Sequence, residues 1–351
     1  MNLAINLAKK NIGKTADNPS VGCVITQNHT IIATGVTSFG GRPHAEAQAI
    51  SKIKDKNLSN LTMYVTLEPC FHQGKTPPCV KLIDKKVFSR IVISCQDPDS
   101  RVNEKSISYL KKIGINVEIG ILQDKYKEAN RAFFKSKLKN KPFISLKIAT
   151  TIDGKIATQN FESKWISCEK SRQYTNLLRA KNNAILIGSN SIKKDNPSLD
   201  CRISGAEKYS ATPVIMSNSL DLDLNYQIFK KHEKIIIATN NEDVRKQQKY
   251  LKLKNLQIIK YDNLSTLLEN LVKLGINSIL IEGGSMISAS FLKEDLVDEI
   301  IHIQSGKILG KSSIDAIGDL NISQLAHSPN FSIVNSREYF SDKITIWEKS
   351  Q

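Results

Sequence analysis

No stretch of this sequence approaches the ~18 consecutive apolar residues that a membrane span needs, which excludes an integral membrane protein. The opening segment MNLAINLAKKN has the pattern of a short helix and no cleavage site, so a secretory signal is not expected either. Cysteine is sparse. Six among 351 residues do not make a disulfide scaffold, and their uneven spacing suggests reduced thiols, some of them available as ligands. There is no G-x-G-x-x-G run and no Walker A motif, which leaves a classical Rossmann domain and a P-loop unsupported. Internal repeats and low-complexity tracts are missing as well. Acidic residues are in short supply, 34 against 50 Lys and Arg, for a net charge of +16.

What is present is an ordinary globular composition, 40% hydrophobic and 24% charged, in a chain long enough for about two domains. The positive excess is uneven: residues 1–140 hold 22 basic and 11 acidic side chains, residues 141–351 hold 28 and 23. A nucleic-acid partner, an anionic small substrate or a lysine-rich genome would each account for it, and charge alone does not choose.

The first half reads as a hairpin followed by βα units. Val21–Thr26 and Ile31–Val36 are β-rich runs joined at residues 27–30; His44 to Lys54 and Pro78 to Lys86 have helical patterns; Met63–Thr66, Arg90–Ser94 and Val117–Ile119 are short strands. Ser106–Ile113 is helical and ends at Gly114, a C-cap signal. The run from Asp124 to Lys141 is strongly basic and reads as a solvated helix leading into a linker, with the domain boundary just before Pro142. Domains are therefore expected at 1–140 and 141–351. The second half alternates strands at 143–149, 184–187, 214–216, 235–238, 256–259, 278–281 and 299–303 with helices at 169–180 and 264–274.

The strongest chemical signal is His44-Ala45-Glu46 followed by Glu68-Pro69-Cys70 and then Cys79. One imidazole and two thiolates suit Zn²⁺, and three protein ligands leave a fourth position for water, as catalytic zinc requires. Glu46, two residues beyond the ligand at a helix start, is placed to move a proton between water and a departing amine. H-x-E…P-C-x-x-C is the zinc nucleobase deaminase signature, but here eight residues separate the cysteines instead of two. Cys23 and Cys95 lie in apolar strands and read as core residues.

The segment Glu68 to Cys79 reads EPCFHQGKTPPC, and with the H-A-E box and Asn18-Pro19-Ser20-Val21-Gly22 it resembles the bifunctional riboflavin-biosynthesis deaminase–reductases. The likeness covers essentially the whole chain. It implies a cytidine-deaminase-like αβα sandwich followed by a dihydrofolate-reductase-like α/β domain. It also implies deaminase substrate contacts at Asn18, His72, Lys75, Asp97 and Asn103. One loop departs from the family's D-P-[ND]-P and following G-x-G: Ser100 replaces proline, while Glu104 and Ser106 replace glycines. Glycines there would bring backbone amides to an anion, and a Glu104 side chain would repel one.

In the second half, Thr151-Ile152-Asp153-Gly154-Lys155 alone reads as a hairpin turn, and Ile281-Glu282-Gly283-Gly284-Ser285 as a strand ending at a helix start able to present amides to phosphate. Together with Ser163-Lys164-Trp165-Ile166 and Asp195-Asn196-Pro197-Ser198-Leu199 they match, in order, the boxes of the same family's reductase half. The resemblance implies NADPH near Ala149, Thr151, Ser163, Trp165, Ser191, Asp195, Ser217, Gly283, Gly284 and Ser285. It places the sugar substrate near Lys147, Arg179, Asp195, Leu199, Arg202 and Glu282. The implied reactions are zinc-dependent deamination of 2,5-diamino-6-(5-phosphoribosylamino)pyrimidin-4(3H)-one, then NADPH-dependent reduction of its ribosyl group to a ribityl chain. The expected partner is this phosphorylated pyrimidine, not nucleic acid or a membrane, acted on by a cytoplasmic homo-oligomer. Against it stand a tRNA deaminase with an accessory domain, a deaminase fused to an inactive reductase, and a non-catalytic zinc module.

Overall fold

The computed structural model describes residues 1–53, 58–73, 77–99 and 102–350. The chain divides into two compact units, Met1–Lys141 and Pro142–Gln351.

In the first unit, β1 (Gly22–Gln27) and β2 (Thr30–Val36) pair antiparallel across Asn28-His29, both at positive φ (47° and 67°), the backbone that a tight hairpin needs. β1 also pairs antiparallel with β3 (Leu61–Leu67), while β3, β4 (Phe88–Cys95) and β5 (Asn116–Ile119) run parallel. The sheet order is β2-β1-β3-β4-β5. Helices α1 (Asn2–Lys9) and α2 (Ala45–Ser51) approach the hairpin at backbone distance. A Cβ on Gly22 would stand 1.9 Å from the Ala4 carbonyl oxygen, and one on Gly35 2.0 Å from that of Ala45, so neither position accepts a side chain. Ile25, Met63, Ile91, Ile93 and Leu110 fill a single core, and Cys23 and Cys95 are buried in it as the sequence suggests.

Two expectations need correction. Residues 78–86 form only a single 3-10 turn, Cys79–Leu82, because the Asp84 carboxylate takes the Lys86 amide (2.8 Å) and its carbonyl takes those of Val87 and Phe88. The basic run is not simply solvated. It forms α4 (Gln123–Ala129) and α5 (Arg131–Lys139), after α3 (Lys105–Lys112), and buries Tyr126, Phe133 and Phe134 in the core while Lys125, Lys127, Lys137 and Lys139 face water. The helix expected to reach Lys54 is described to Ser51, and Lys54 lies outside the described residues.

The second unit holds a nine-stranded sheet. Seven strands run parallel: β6 (Phe143–Thr150), β8 (Ala184–Gly188), β9 (Thr212–Met216), β10 (Ile235–Thr239), β11 (Leu256–Lys260), β12 (Ser278–Ile281) and β13 (Glu299–Ser305). β16 (Asp342–Lys349) and β15 (Phe331–Tyr339) add antiparallel, giving the order β11-β10-β9-β8-β12-β6-β13-β16-β15. Alternate side chains of each strand point to opposite faces. Thus Ile185, Ile187 and Ile215 join one apolar layer, with residues of α6 (Glu169–Lys181), α7 (Ser189–Asp195), α8 (Gln227–Lys231) and α9 (Val244–Leu251). Ile144, Leu146 and Leu186 join the other, under α10 (Leu264–Lys273) and α11 (Ser285–Lys293).

The Asp153-Gly154 turn is present, with Gly154 at φ 76°, but it does not close a hairpin. Both edges of β6 are already taken by β12 and β13, so β7 (Lys155–Ala157) leaves the sheet and pairs with β14 (Ile314–Asp315).

Candidate functional sites

The sequence places His44 as the N-cap of α2, Cys70 just after β3, and Cys79 at the start of the 3-10 turn. The structure brings the three together. Their ligand atoms all lie within 4.8 Å of one another, with His44 Nδ1 3.2 Å from Cys79 Sγ and 3.6 Å from Cys70 Sγ. Tetrahedral zinc with such ligands implies donor separations of roughly 3.5–3.8 Å, so the set is close to the shape that the ion imposes. The long insert does not spoil the geometry: the chain returns so that the Cys79 amide donates to Cys70 Sγ (3.2 Å) and the Val80 amide to the Cys70 carbonyl (3.3 Å).

The hydrogen bond from the Cys79 thiol, then those from His44 and the Cys79 amide, hold the Cys70 thiol down to about 4, so it is a thiolate ready for a cation. Cys79 is pushed the other way by the same contact and by burial. Glu46, one residue into α2, is buried, and burial raises its carboxyl to about 7, the range in which a group both gives and takes a proton at neutral pH. Donor set, thiolate and proton carrier all fit a catalytic zinc.

Around this centre, Asn18 sits over Gly41, where an added Cβ would be 2.2 Å from Asn18 Nδ2. His72 is half-buried, and its Nδ1 is a buried atom without a hydrogen-bond partner among the described residues. Asp97 is buried, and that burial lifts its carboxyl to about 6. Asn103 is exposed and lines a cleft of about 420 Å³ with Phe71, Ser108 and Tyr109. Lys75, Ser100 and Arg101 lie outside the described residues.

The altered loop carries a surprise. Its backbone amides do approach an anion, but that anion is the chain's own Glu68. Glu68 accepts from the amides of Glu104 and Ser106 (3.1 Å each), Ile107 (3.4 Å) and Asp97 (3.5 Å). Glu104 occupies the left-handed region (φ 62°) that glycine takes at little cost, and turns its side chain toward Gln96 Nε2 (3.1 Å). Ser106 Oγ donates to the Pro69 carbonyl (2.6 Å), tying the loop to the residue before a metal ligand. Glu68 thus has an organising role that its place in the motif alone did not reveal.

In the second unit a charged cluster is largely buried beside the glycines that open α11. Arg179, 8% exposed, gives a fork to Glu282 (Nε–Oε1 2.8 Å, Nη2–Oε2 3.0 Å), while its Nη1 donates to the Asp200 carbonyl (3.1 Å). Lys147 Nζ is 3.9 Å from Glu282 Oε2. Burial alone would raise the Glu282 carboxyl, but Arg179 and then Lys147 outweigh it and the net shift is downward. Burial lowers Lys147. Arg202 is exposed, and its charge also favours ionised Glu282.

Immediately after Glu282 the chain turns into α11, whose first turn lacks any side-chain cap. A Cβ on Gly283 would lie 2.9 Å from Ile287 Cβ, and one on Gly284 3.5 Å from Ser191 Oγ. A bare helix start, two glycines and a serine form a cradle suited to a cofactor phosphate. Trp165 is 54% exposed, with the Arg172 guanidinium 4.4 Å from its ring centre. Ala149 is the penultimate residue of β6, half-buried; Ser163 is half-buried, and its carbonyl accepts from the Ile166 amide.

Thr151 is buried and donates to Asp153 Oδ1 (2.6 Å), and Asp153 in turn accepts from the amides of Gly310 (2.7 Å) and Leu309 (3.3 Å). No local pattern announces this latch, since its partners lie 156 and 157 residues away. Asp195 is exposed at the end of α7. Ser217 is buried, with its hydroxyl accepting from Leu220 (3.3 Å), and the Leu199 side chain packs into the core, which leaves only its backbone for a ligand.

Comparison with known proteins agrees with this geometry. Residues 142–344 match the family described as the RibD C-terminal domain, and residues 1–95 the cytidine and deoxycytidylate deaminase zinc-binding region. The riboflavin biosynthesis protein RibD of Aquifex aeolicus is 36% identical over 330 residues, covering 93% of this chain and 91% of that protein. The solved structure of Acinetobacter baumannii RibD aligns with a TM-score of 0.92 at 31% identity, covering 100% and 98% of the two chains. A Thermotoga maritima diaminohydroxyphosphoribosylaminopyrimidine deaminase/5-amino-6-(5-phosphoribosylamino)uracil reductase aligns at 0.88 and 32%, covering 100% and 97%.

Proposed function

The chain belongs to the RibD family of riboflavin-biosynthesis deaminase–reductases, and on that premise we propose how its residues divide the two reactions. The observation that carries the reading is the convergence of His44, Cys70 and Cys79 beside a buried Glu46. The substrate is the one named for the Thermotoga relative, a diaminopyrimidinone ribosylamino 5'-phosphate.

His44, Cys70 and Cys79 hold the zinc, which when bound supplies Lewis-acid activation of water. Glu46 takes a proton from the attacking water and returns it to the departing amine, which leaves as ammonia. Asn18 and the orphaned His72 Nδ1 orient the pyrimidine, with Asp97 and Asn103 at the edge of the site. The eight-residue insert carrying His72 and Lys75 supports a phosphorylated small molecule over nucleic acid.

In the second unit Gly283, Gly284, Ser285 and Ser191 would hold a phosphate of NADPH, and Ala149, Thr151, Ser163, Trp165 and Ser217 would contact the rest of the cofactor. NADPH, when bound, would supply the hydride for ribose C1'; opening the sugar breaks the bond from C1' to the ring oxygen, which stays on the ribityl chain as a hydroxyl by taking a proton from solvent. Lys147 and Glu282 stand where they can donate to and accept from the sugar hydroxyls. Arg202, exposed and cationic, lines the sugar phosphate side with the Leu199 backbone, and Asp195 joins Lys147 and Glu282 at the sugar being reduced. Arg179 acts there through the fork that keeps Glu282 ionised. Two thiol ligands are held best in a reducing compartment, which supports a cytoplasmic location. The long, exposed β15, with Ile333 and Val334 open to solvent, supports a homo-oligomer.

Ammonia release and NADPH oxidation, followed separately on the same substrate, test the reading. Glu46→Gln should lower ammonia release about 10³-fold while zinc stays near one per chain and pre-deaminated substrate is still reduced. Undiminished ammonia release would remove Glu46 from the mechanism.

A further inference from the structure

The basic segment that follows the deaminase sheet has a use that neither reaction assigns to it. Ser20 lies in the Asn18-Pro19-Ser20 turn ahead of β1, and each of its polar groups is taken by a different part of the first unit. Its amide donates to Asn130 Oδ1 (3.0 Å), its hydroxyl donates to the Ala8 carbonyl of α1 (2.6 Å), and its carbonyl accepts from Tyr126 Oη of α4 (3.2 Å). Asn130 is the residue between α4 and α5, 5% exposed, and Tyr126 is fully buried. The next residue is fixed as well, since the Val21 amide donates to Thr37 Oγ1 (2.9 Å) and its carbonyl accepts from the Thr37 amide (2.9 Å). Upstream, the Asn18 amide and carbonyl are both closed onto Thr15, leaving the Asn18 side chain over Gly41, three residues from the metal ligand His44.

We propose that Asn130 and Tyr126 are positioning residues for the deaminase, a clasp from α4 and α5 that sets the height of the Asn18 turn over the substrate. Both lie beyond residues 1–95, the part that matches the deaminase zinc-binding region, so the catalytic half of the fold is completed by a segment outside it. A turn with one unsatisfied anchor has room to slide, because a buried amide left without an acceptor draws in water or moves to reach it. The lysines on the outer faces of these helices keep the pair soluble; the inward Tyr126 and Asn130 do the positioning. This inference rests on the proposed contact between Asn18 and the pyrimidine.

The test is steady-state kinetics on the full-length zinc-loaded enzyme, with zinc content and the reductase rate measured on every sample. Asn130→Ala is expected to raise the deaminase KM about tenfold with kcat within about twofold, zinc near one per chain and reduction unchanged. Asn130→Asp keeps the accepting oxygen and exchanges an Nδ2 that has no hydrogen-bond partner among the described residues for a second oxygen; below the pKa of that buried carboxyl, where it is neutral, it should restore most of the affinity. Tyr126→Phe, which removes one hydroxyl and keeps the packing, should raise KM about threefold, and it decides the matter if Asn130→Ala does not fold. An unchanged KM in both variants overturns the clasp, as does a parallel loss of zinc, kcat and affinity that Asn130→Asp fails to reverse. Asn18→Ala separates the two layers of the argument. A raised KM there beside an unchanged one in Asn130→Ala sinks the clasp alone, whereas an unchanged KM in Asn18→Ala removes the substrate contact on which it rests.

Discussion

The two sites of this chain are built in different ways. The zinc centre uses three side-chain donors and one carboxylate from a span of 36 residues, His44 to Cys79, and its chemistry is written in the identity of those donors. The charged cluster proposed for the reductase gathers Lys147 of β6 and Arg179 of α6 onto Glu282, beside a helix start where Gly283 and Gly284 leave out the Cβ groups that would crowd Ile287 and approach Ser191. A site made of rare donors fails all at once when one is lost. A site made of backbone and paired charges fails by degrees.

That contrast orders the expected effects. Removing a donor should be the most severe: Cys79→Ser, or chelation of the metal, should lower ammonia release about 10³-fold or more and leave NADPH oxidation of pre-deaminated substrate untouched. If reduction falls in parallel, the two sites are not independent and the comparison breaks. In the second unit, Arg179→Ala strands Glu282 and Lys147 without the fork and should cost ~3 kcal/mol of that unit's stability, read by calorimetry. Loss of deamination at temperatures where the first unit stays folded would contradict the assignment.

A third effect is pH-dependent. Burial raises Asp97 to about 6, so between roughly pH 4 and 6 the folded chain holds a proton that the unfolded chain releases. Stability of the first unit should therefore fall as pH rises through that window, by on the order of 2 kcal/mol, and Asp97→Asn should flatten the profile. A profile that is identical in the variant would show that Asp97 titrates normally. Smallest is Gly283→Ala. Its methyl must push Ile287 aside and displace the helix start, which should appear as an about tenfold weaker NADPH affinity, ~1.4 kcal/mol. Unaltered affinity would move the cofactor phosphate elsewhere.

Legibility in the sequence follows the same division. His44, Glu46, Cys70 and Cys79 could be named from residue types and order, because few chemistries use that set. The parallel core strands are legible too, since runs such as 279–281 are apolar on both faces. Glu68 was read as part of a motif and not as the anchor of the loop at 97–107, because nothing in a sequence shows which amides a carboxylate will meet. β15 escaped notice because residues 332–338 are exposed on both faces and carry no period-2 pattern. α9 escaped for a related reason: it buries Tyr250 alone, too little for a helical stripe. The hairpin expected at Asp153-Gly154 was a sound local inference overruled by occupancy, with both edges of β6 already paired.

Gly22 and Gly35 deserve a last look for what they imply about genetics. Each is a place where a helix backbone rests directly on a strand, and the second fixes the helix whose cap is His44. A random screen for strains unable to deaminate would recover substitutions at 22 and 35 alongside those at 44, 46, 70 and 79. They would look like active-site lesions in every assay of turnover, yet they alter no donor, no charge and no proton carrier. Because the added Cβ meets backbone atoms of Ala4, Ala8, Ala45 and Ala49, no exchange of those side chains relieves it, and suppressors should be rare and never map to the metal ligands.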